Sequence, residues 1–285
     1  SVCPRLQLHR AQPTKSSLPM AHAPLPLAPR RFLETARTDA WWIQPAAVLS
    51  LLTAFIVYST WAALQGDHYA FGNYLSPFYS PELFGDSPHA LFGPRPGWWP
   101  SLLPFSPAIL ILWAPGGFRF TCYYYRGAYY KAFWADPLSC TVGEARKGYR
   151  GERSLPLVLQ NIHRYFLYLA LGFLLILLHD VWKALWFTDA AGRESFGIGV
   201  GTLVLAANVT LLGGYTLGCH SLRHLVGGVL DRIAERPLRK KSYECVSCLN
   251  RGHMPFAWMS LVMVGFADLY VRLCSMGIWR DVRLF

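Results

Sequence analysis

Long apolar stretches separated by short polar segments dominate the chain from residue 41 onwards. Each of five stretches is long enough to exceed the roughly 20 helical residues that cross a hydrocarbon core of about 30 Å. Tryptophan and tyrosine stand at several of their ends, as they do at membrane–water interfaces. The pattern therefore predicts five transmembrane helices, at residues 41–64, 103–125, 161–186, 197–225 and 254–278.

The composition agrees with an all-α, polytopic membrane protein. Of the 285 residues, 53% are hydrophobic and only 15% are charged, and the mean hydropathy is +0.24. An average soluble domain carries about 25% charged residues. A soluble chain this apolar would have to expose large hydrophobic patches, so the composition favours a membrane protein.

The positions of the basic residues predict an orientation. Six Lys/Arg precede residue 41, six follow the second stretch and seven follow Cys219, whereas the remaining loops and the C-terminal tail carry four. The positive-inside rule then places the N-terminus in the cytoplasm and the C-terminus outside. The formal net charge of +11 reflects this topology and attraction to lipid head groups. No nucleic-acid-binding motif accompanies it.

Two regions are predicted around this membrane domain. Residues 1–40 form a basic, proline-rich tail that precedes the five-helix anchor domain of residues 41–285. Residues 65–100, rich in proline, glycine and aromatics, are expected to fold as a cap on the outer side. The seven cysteines are irregularly placed, which does not fit a disulfide scaffold.

Metal-capable side chains collect at one depth of the predicted bundle. The topology brings the following to the cytoplasmic ends of four spans: Cys122, His163, Cys219, His220, His224 and His253. Polar groups at the edge of hydrocarbon are costly and usually functional. We therefore expect a metal or cofactor site at this end of the bundle.

Two cofactors compete for these ligands. A b-type haem needs two axial histidines, which His163 with His220 or His224 would supply. A Rieske-type [2Fe–2S] cluster needs two thiolates and two imidazoles, which Cys122, Cys219, His163 and one of His220 or His224 would supply. Haem leaves both cysteines unexplained, so the cluster is favoured.

Helix irregularities bear on this site. Cys219 and His220 lie about 100° apart on a regular helix, so both can face one site only if the last turn loosens, which Gly227-Gly228 favours. Pro115 predicts a kink in the second span. Arg119, three residues before Cys122, is placed to offset thiolate charge or to bind a quinone oxygen or a lipid phosphate.

One further acidic residue lies in the fifth span. Asp268 and Arg272 are four residues apart and are expected to neutralise each other, with Asp268 as a proton-path carboxylate the alternative.

Several stretches resemble the cytochrome b-like membrane-anchor subunit of the succinate dehydrogenase/fumarate reductase (complex II) family, in its actinobacterial single-chain type. The resemblance extends over about residues 41–285. The stretches are residues 118–126 (FRFTCYYYR), 159–166 (LQNIHRYF), 218–228 (GCHSLRHLVGG) and 253–258 (HMPFAW).

The resemblance implies a plasma-membrane anchor that carries a Rieske-type cluster and performs no succinate chemistry itself. It implies a FAD-containing flavoprotein and an iron–sulfur subunit on the cytoplasmic side, menaquinone or ubiquinone as acceptor, surrounding lipids, and room for a small extra membrane subunit. A quinone headgroup would bind near Arg119, Tyr123 and Arg223, with His253 and Asp268 as accessory residues.

Two alternatives remain open. The first is a haem b quinone-reactive anchor of another dehydrogenase or reductase. The second is a transporter, which is less favoured because the polar groups crowd one interface instead of the midplane.

Overall fold

The computed structural model describes residues 40, 42–100, 102, 104–125, 128, 133, 158–188, 192–228 and 233–285. The predicted tail of residues 1–40, except Ala40, lies outside the described residues. The helices are α1 Ile43–Gln65, α2 Pro107–Ile111, α3 Trp113–Thr121, α4 Val158–Lys183, α5 Val200–Leu217, α6 His220–Gly227, α7 Pro237–Arg251 and α8 His253–Ser275. The strands are β1 Ala70–Phe71, β2 Tyr74–Leu75, β3 Trp186–Thr188 and β4 Glu194–Phe196, and a short 3-10 turn spans Ile233–Glu235.

Across the described ranges, four helices are long and apolar enough to cross a membrane: α1, the Asn161–Lys183 part of α4, α5 and α8. The predicted span at residues 103–125 is formed by the short helices α2 and α3, which separate at Leu112. Pro115 has no backbone N–H to donate to the carbonyl of Ile111, so the break falls one turn before the proline. The fifth crossing therefore stays a prediction.

Close helix approaches hold the bundle together. The most extensive packing is between α5 and α8, and α3 packs against α4. At two of these contacts a glycine makes the approach possible, because a methyl group on Gly117 would overlap the ring of Phe166, and one on Gly214 would overlap the ring of Phe256.

The segment of residues 66–100 is packed onto the helices through buried carboxylates. Its hairpin pairs Ala70 with Leu75. The Tyr69 hydroxyl donates to Glu82 at 2.7 Å, and burial raises the pKa of Tyr69. Ser80 donates to Asp180 of α4, and Ser76 donates to Asp268 of α8. These bonds fix one end of the bundle, opposite the cysteines.

Asp268 and Arg272 form a buried ion pair in α8, with 3.4 Å between Nε and Oδ2. Tyr58 of α1 also donates to Asp268, at 2.6 Å. The Arg272 guanidinium donates to the carbonyl of Asp67 at 2.8 Å. The pair thus neutralises itself and joins α1, α8 and the 66–100 segment.

Candidate metal centre

Both buried cysteines of the site lie where a helix stops. α3 ends at Thr121, and Cys122 adopts φ −61°, ψ 130°. α5 ends at Leu217, and Cys219 adopts the similar extended conformation φ −65°, ψ 139° before α6 begins at His220. The predicted span 197–225 is therefore two helices. The loosening lies at residues 218–219, just before the histidines, and not at Gly227-Gly228.

These breaks direct two thiols toward two imidazoles. His163 Nε2 of α4 lies 3.2 Å from Cys219 Sγ, and His253 Nε2 of α8 lies 3.8 Å from Cys122 Sγ. Cys122 and Cys219 belong to one buried core cluster with Phe118 and Tyr215, the rings on which His163 and His253 stack. The four groups thus form two neighbouring thiol–imidazole pairs.

His163 is held in one orientation and one tautomer. Its ring stacks on Phe118, with 4.6 Å between ring centroids. Thr121 Oγ1 lies 2.9 Å from Nδ1 and donates its own proton to the carbonyl of Gly117 at 2.7 Å. The hydroxyl must therefore accept from Nδ1–H, which leaves the lone pair on Nε2, the nitrogen that faces Cys219. This is the usual way an outer residue orients a ligating histidine.

His253 is the imidazole of the second thiol–imidazole pair. Its ring stacks on Tyr215, with 5.0 Å between ring centroids. The buried side-chain atoms that form no well-aligned hydrogen bond among the described residues are those of Asn208, the Tyr215 hydroxyl and His253 Nδ1. Unpaired buried polar atoms are rare in native proteins and call for an explanation such as a bound ion or group. The Tyr215 and His253 atoms lie beside the thiol–imidazole pairs, where a bound group would fit.

The donor set fits a group that divides its ligands between two metal ions. In the parts of the chain that the structure describes, no three His, Cys, Asp or Glu side chains gather closely enough to hold one metal ion. Cys122, Cys219 and His163 are nearly inaccessible, at 3%, 2% and 5% exposure. A two-iron cluster takes only two protein ligands per iron, so two thiols and two imidazoles would suit it in number and kind.

An apolar cavity of about 360 Å³ opens beside this site. Phe118, Arg119 and Tyr215 line its end nearest the cysteines, and Ser59 and Thr60 of α1 line it farther away. Most of the other lining residues are apolar and come from α1, α3, α4, α5 and α8, from Leu112, and from Pro77 and Phe78 of the 66–100 segment. Its size and lining are typical of a pocket for a small hydrophobic ligand.

Comparison with known proteins identifies the family. Residues 43–277 match the family model described as actinobacterial succinate dehydrogenase subunit SdhC. The chain belongs to this SdhC family. A solved chain of the Mycobacterium smegmatis Sdh1 complex in the apo form is similar, with 39% identity and a TM-score of 0.76, covering 90% of this chain and 96% of that one. No curated protein matches.

Membership of the SdhC family makes the chain a membrane-anchor subunit of succinate dehydrogenase without a catalytic head. Of the predicted ligands, the structure brings Cys122, His163 and Cys219 together. His253, predicted only as an accessory residue, completes the group. Its depth could be read from the sequence, but the side of α8 that faces the thiols could not.

His220 and His224, the predicted fourth ligands, are exposed in this SdhC-family chain. Their Nε2 atoms face each other at 3.1 Å, and the imidazoles within hydrogen-bonding range of the thiols are those of His163 and His253. Cys219 is buried, whereas the next residue, His220, is exposed, so the break did not turn His220 inward.

Of the three residues predicted to bind a quinone headgroup, only Arg119 lines the cavity. Arg223 donates to Ser247 at 3.1 Å and lies over the Tyr243 ring, so it faces α7. Tyr123 is 71% exposed and is not among the cavity residues. Asp268 belongs to the ion pair at the opposite end of the bundle.

Proposed function

We propose that this SdhC-family chain relays electrons to quinone through a Rieske-type [2Fe–2S] cluster held by Cys122, Cys219, His163 and His253. The observation that carries the proposal is the presence of two thiol–imidazole pairs, Cys219 with His163 and Cys122 with His253, around one buried cluster. His253 replaces His220 or His224 in the ligand set expected from the sequence.

The same geometry disfavours a haem. A b-type haem needs two histidines on opposite sides of a porphyrin plane. His163 Nε2 lies 3.2 Å from Cys219 Sγ and His253 Nε2 lies 3.8 Å from Cys122 Sγ, so each imidazole nitrogen faces a thiol that a haem would leave unused. Phe118 and Tyr215 also cover one face of each imidazole.

The residues around the site prepare it for electron transfer. When bound, a [2Fe–2S] cluster accepts and donates one electron at a time. Thr121 holds the His163 lone pair toward the metal position, and Phe118 and Tyr215 exclude water from the imidazoles. The adjoining cavity would receive the ring of menaquinone or ubiquinone, with its apolar tail running toward Ser59 and Thr60.

The assembly follows from the family and from the charge pattern. The similar chain belongs to the Sdh1 complex, which supports docking of a FAD-containing flavoprotein and an iron–sulfur subunit on the cytoplasmic side. The positive-inside rule puts the site end of the bundle on that side, with five spans in the plasma membrane and the C-terminus outside. The partner's cluster would then supply the electron.

Metal analysis of ligand variants tests the proposal. The intact complex should contain, from the anchor, about two iron atoms and two acid-labile sulfides beyond those of the partner subunits. We expect His253→Ala to lose them and His224→Ala, its exposed counterpart, to retain them, with equal flavin content in both complexes. Retention in His253→Ala together with loss in His224→Ala would overturn the ligand set, and a Soret band with no extra sulfide would replace the cluster by haem.

A further inference from the structure

We propose that Arg119 is a built-in counter-charge for the transferred electron and thereby raises the reduction potential of the site. The inference rests on the proposed cluster and concerns a residue that would not itself ligate it. It assigns Arg119 a positioning and tuning role that is separate from any contact with quinone.

The partners of Arg119 are all neutral. Its guanidinium donates to the Tyr125 hydroxyl at 2.6 Å, to Ser260 Oγ at 3.0 Å and to the carbonyl of Ala257 at 3.4 Å. It also lies over the Tyr215 ring, 4.9 Å from the centroid. These contacts fix its position but leave its charge uncompensated.

The contrast with Arg272 shows what is missing. Arg272 is 1% exposed and has Asp268 as its counter-ion at 3.4 Å, whereas Arg119 is half-buried. Among the described residues, no carboxylate lies within ion-pairing distance of Arg119. A cation held between membrane helices is unfavourable unless an anion compensates it. The uncompensated cation therefore points to an anion that the protein chain itself does not supply.

The proposed cluster supplies that anion only when it is reduced. In the oxidised form, two ferric ions, two sulfides, two thiolates and two neutral imidazoles sum to zero charge. One electron from the partner's iron–sulfur subunit converts one ferric ion to ferrous, and the site then carries one net negative charge. A nearby fixed cation stabilises this form and not the oxidised one.

Arg119 is placed to act on that charge. The Tyr215 ring beneath it stacks on His253, with 5.0 Å between ring centroids. Arg119 is also three residues before Cys122, one helical turn away. Arg119 is half-buried among helices and aromatic rings, so solvent screens this interaction less than it would at the open surface.

A redox titration of the intact complex tests the role of the charge. The reduced fraction is followed by EPR in Arg119→Gln, which keeps hydrogen-bond donors, in Arg119→Lys, which keeps the charge, and in Arg251→Gln, an exposed control near His253. At the wild-type midpoint we expect the reduced-to-oxidised ratio to fall about tenfold in Arg119→Gln, which is about 59 mV for one electron. Arg119→Lys and Arg251→Gln should change it less than about threefold.

The possible results distinguish an effect of the Arg119 charge from misfolding and from loss of the cluster. An unchanged ratio in Arg119→Gln, or an equal fall in Arg119→Lys, overturns the tuning role. If Arg119→Gln loses its iron while Arg119→Lys keeps wild-type iron and potential, the charge requirement is supported; loss of iron in both overturns it. Ser260→Ala, which removes only a neutral partner, should leave the ratio within about twofold. Absence of the extra iron and sulfide in the wild type would instead refute the proposed function.

Discussion

The hydroxyl of Thr121 determines which nitrogen of His163 can bind a metal. It donates to the Gly117 carbonyl and so accepts from Nδ1–H, which exposes the Nε2 lone pair toward Cys219. Its side chain therefore acts on the proposed site through the orientation of one imidazole.

Replacing Thr121 by valine should loosen the metal without unfolding the helix. The variant keeps the shape of the side chain but loses the bond to Nδ1, and such outer-shell changes cost about 10- to 100-fold in metal affinity. We expect faster loss of iron to a chelator, measured against time at fixed chelator concentration. Thr210→Val, at an exposed helix position where the hydroxyl bonds only to Ala206, should behave as wild type.

The short helix α3 determines where the site forms. It is bounded by the break at Leu112 and by the extended residue Cys122, and its packing against α4 aligns Phe118 with His163. Gly117 permits this packing because any side chain there would meet the ring of Phe166. The neighbouring Gly116 has open space around it.

The two adjacent glycines provide a matched pair of variants. Gly117→Ala should push α3 away from α4, at a cost of about 1–3 kcal/mol for overpacking, and should lower the iron content of the purified complex. Gly116→Ala adds the same methyl group where nothing lies within 4 Å and should retain full iron. Equal iron in the two variants would show that the close approach at Gly117 does not support the site.

The two ends of the bundle serve different purposes. One end contains the thiols and imidazoles, and the other is closed by the 66–100 segment, whose hydroxyls bond to buried carboxylates of α4 and α8. Asp268 receives bonds from Tyr58, Ser76 and Arg272. The carboxylate is thus held as a paired anion, which favours a structural role over a proton path.

Removing one member of this ion pair should destabilise the whole membrane domain. Arg272→Met leaves Asp268 uncompensated, and breaking a buried pair in this way costs about 3–5 kcal/mol. We expect a lower midpoint of thermal unfolding in detergent. The double variant Asp268→Asn/Arg272→Met should recover part of the loss, because it leaves no unpaired charge; a double variant less stable than the single one would contradict this account.

The sequence by itself determined the class of the protein and the depth of its site. The sequence contains apolar stretches of membrane-spanning length and an asymmetric distribution of Lys and Arg. From these it predicts that Cys122, His163 and Cys219 lie at span ends, because length and order along the chain fix depth. Pro115 likewise predicted a break in the second span, and in the structure the helix is interrupted at Leu112.

Only the tertiary structure decided which side chains meet. Whether His220 or His253 faces Cys122 depends on the rotation of α8 about its axis and on a break at residues 218–219, and both are set by packing between helices distant in sequence. The buried counter-ion of Arg272 and the lack of one near Arg119 among the described residues are decided in the same way. Periodicity fixes a residue's height in the bundle, whereas its partners depend on helix rotation and on contacts such as that of Gly117 with Phe166.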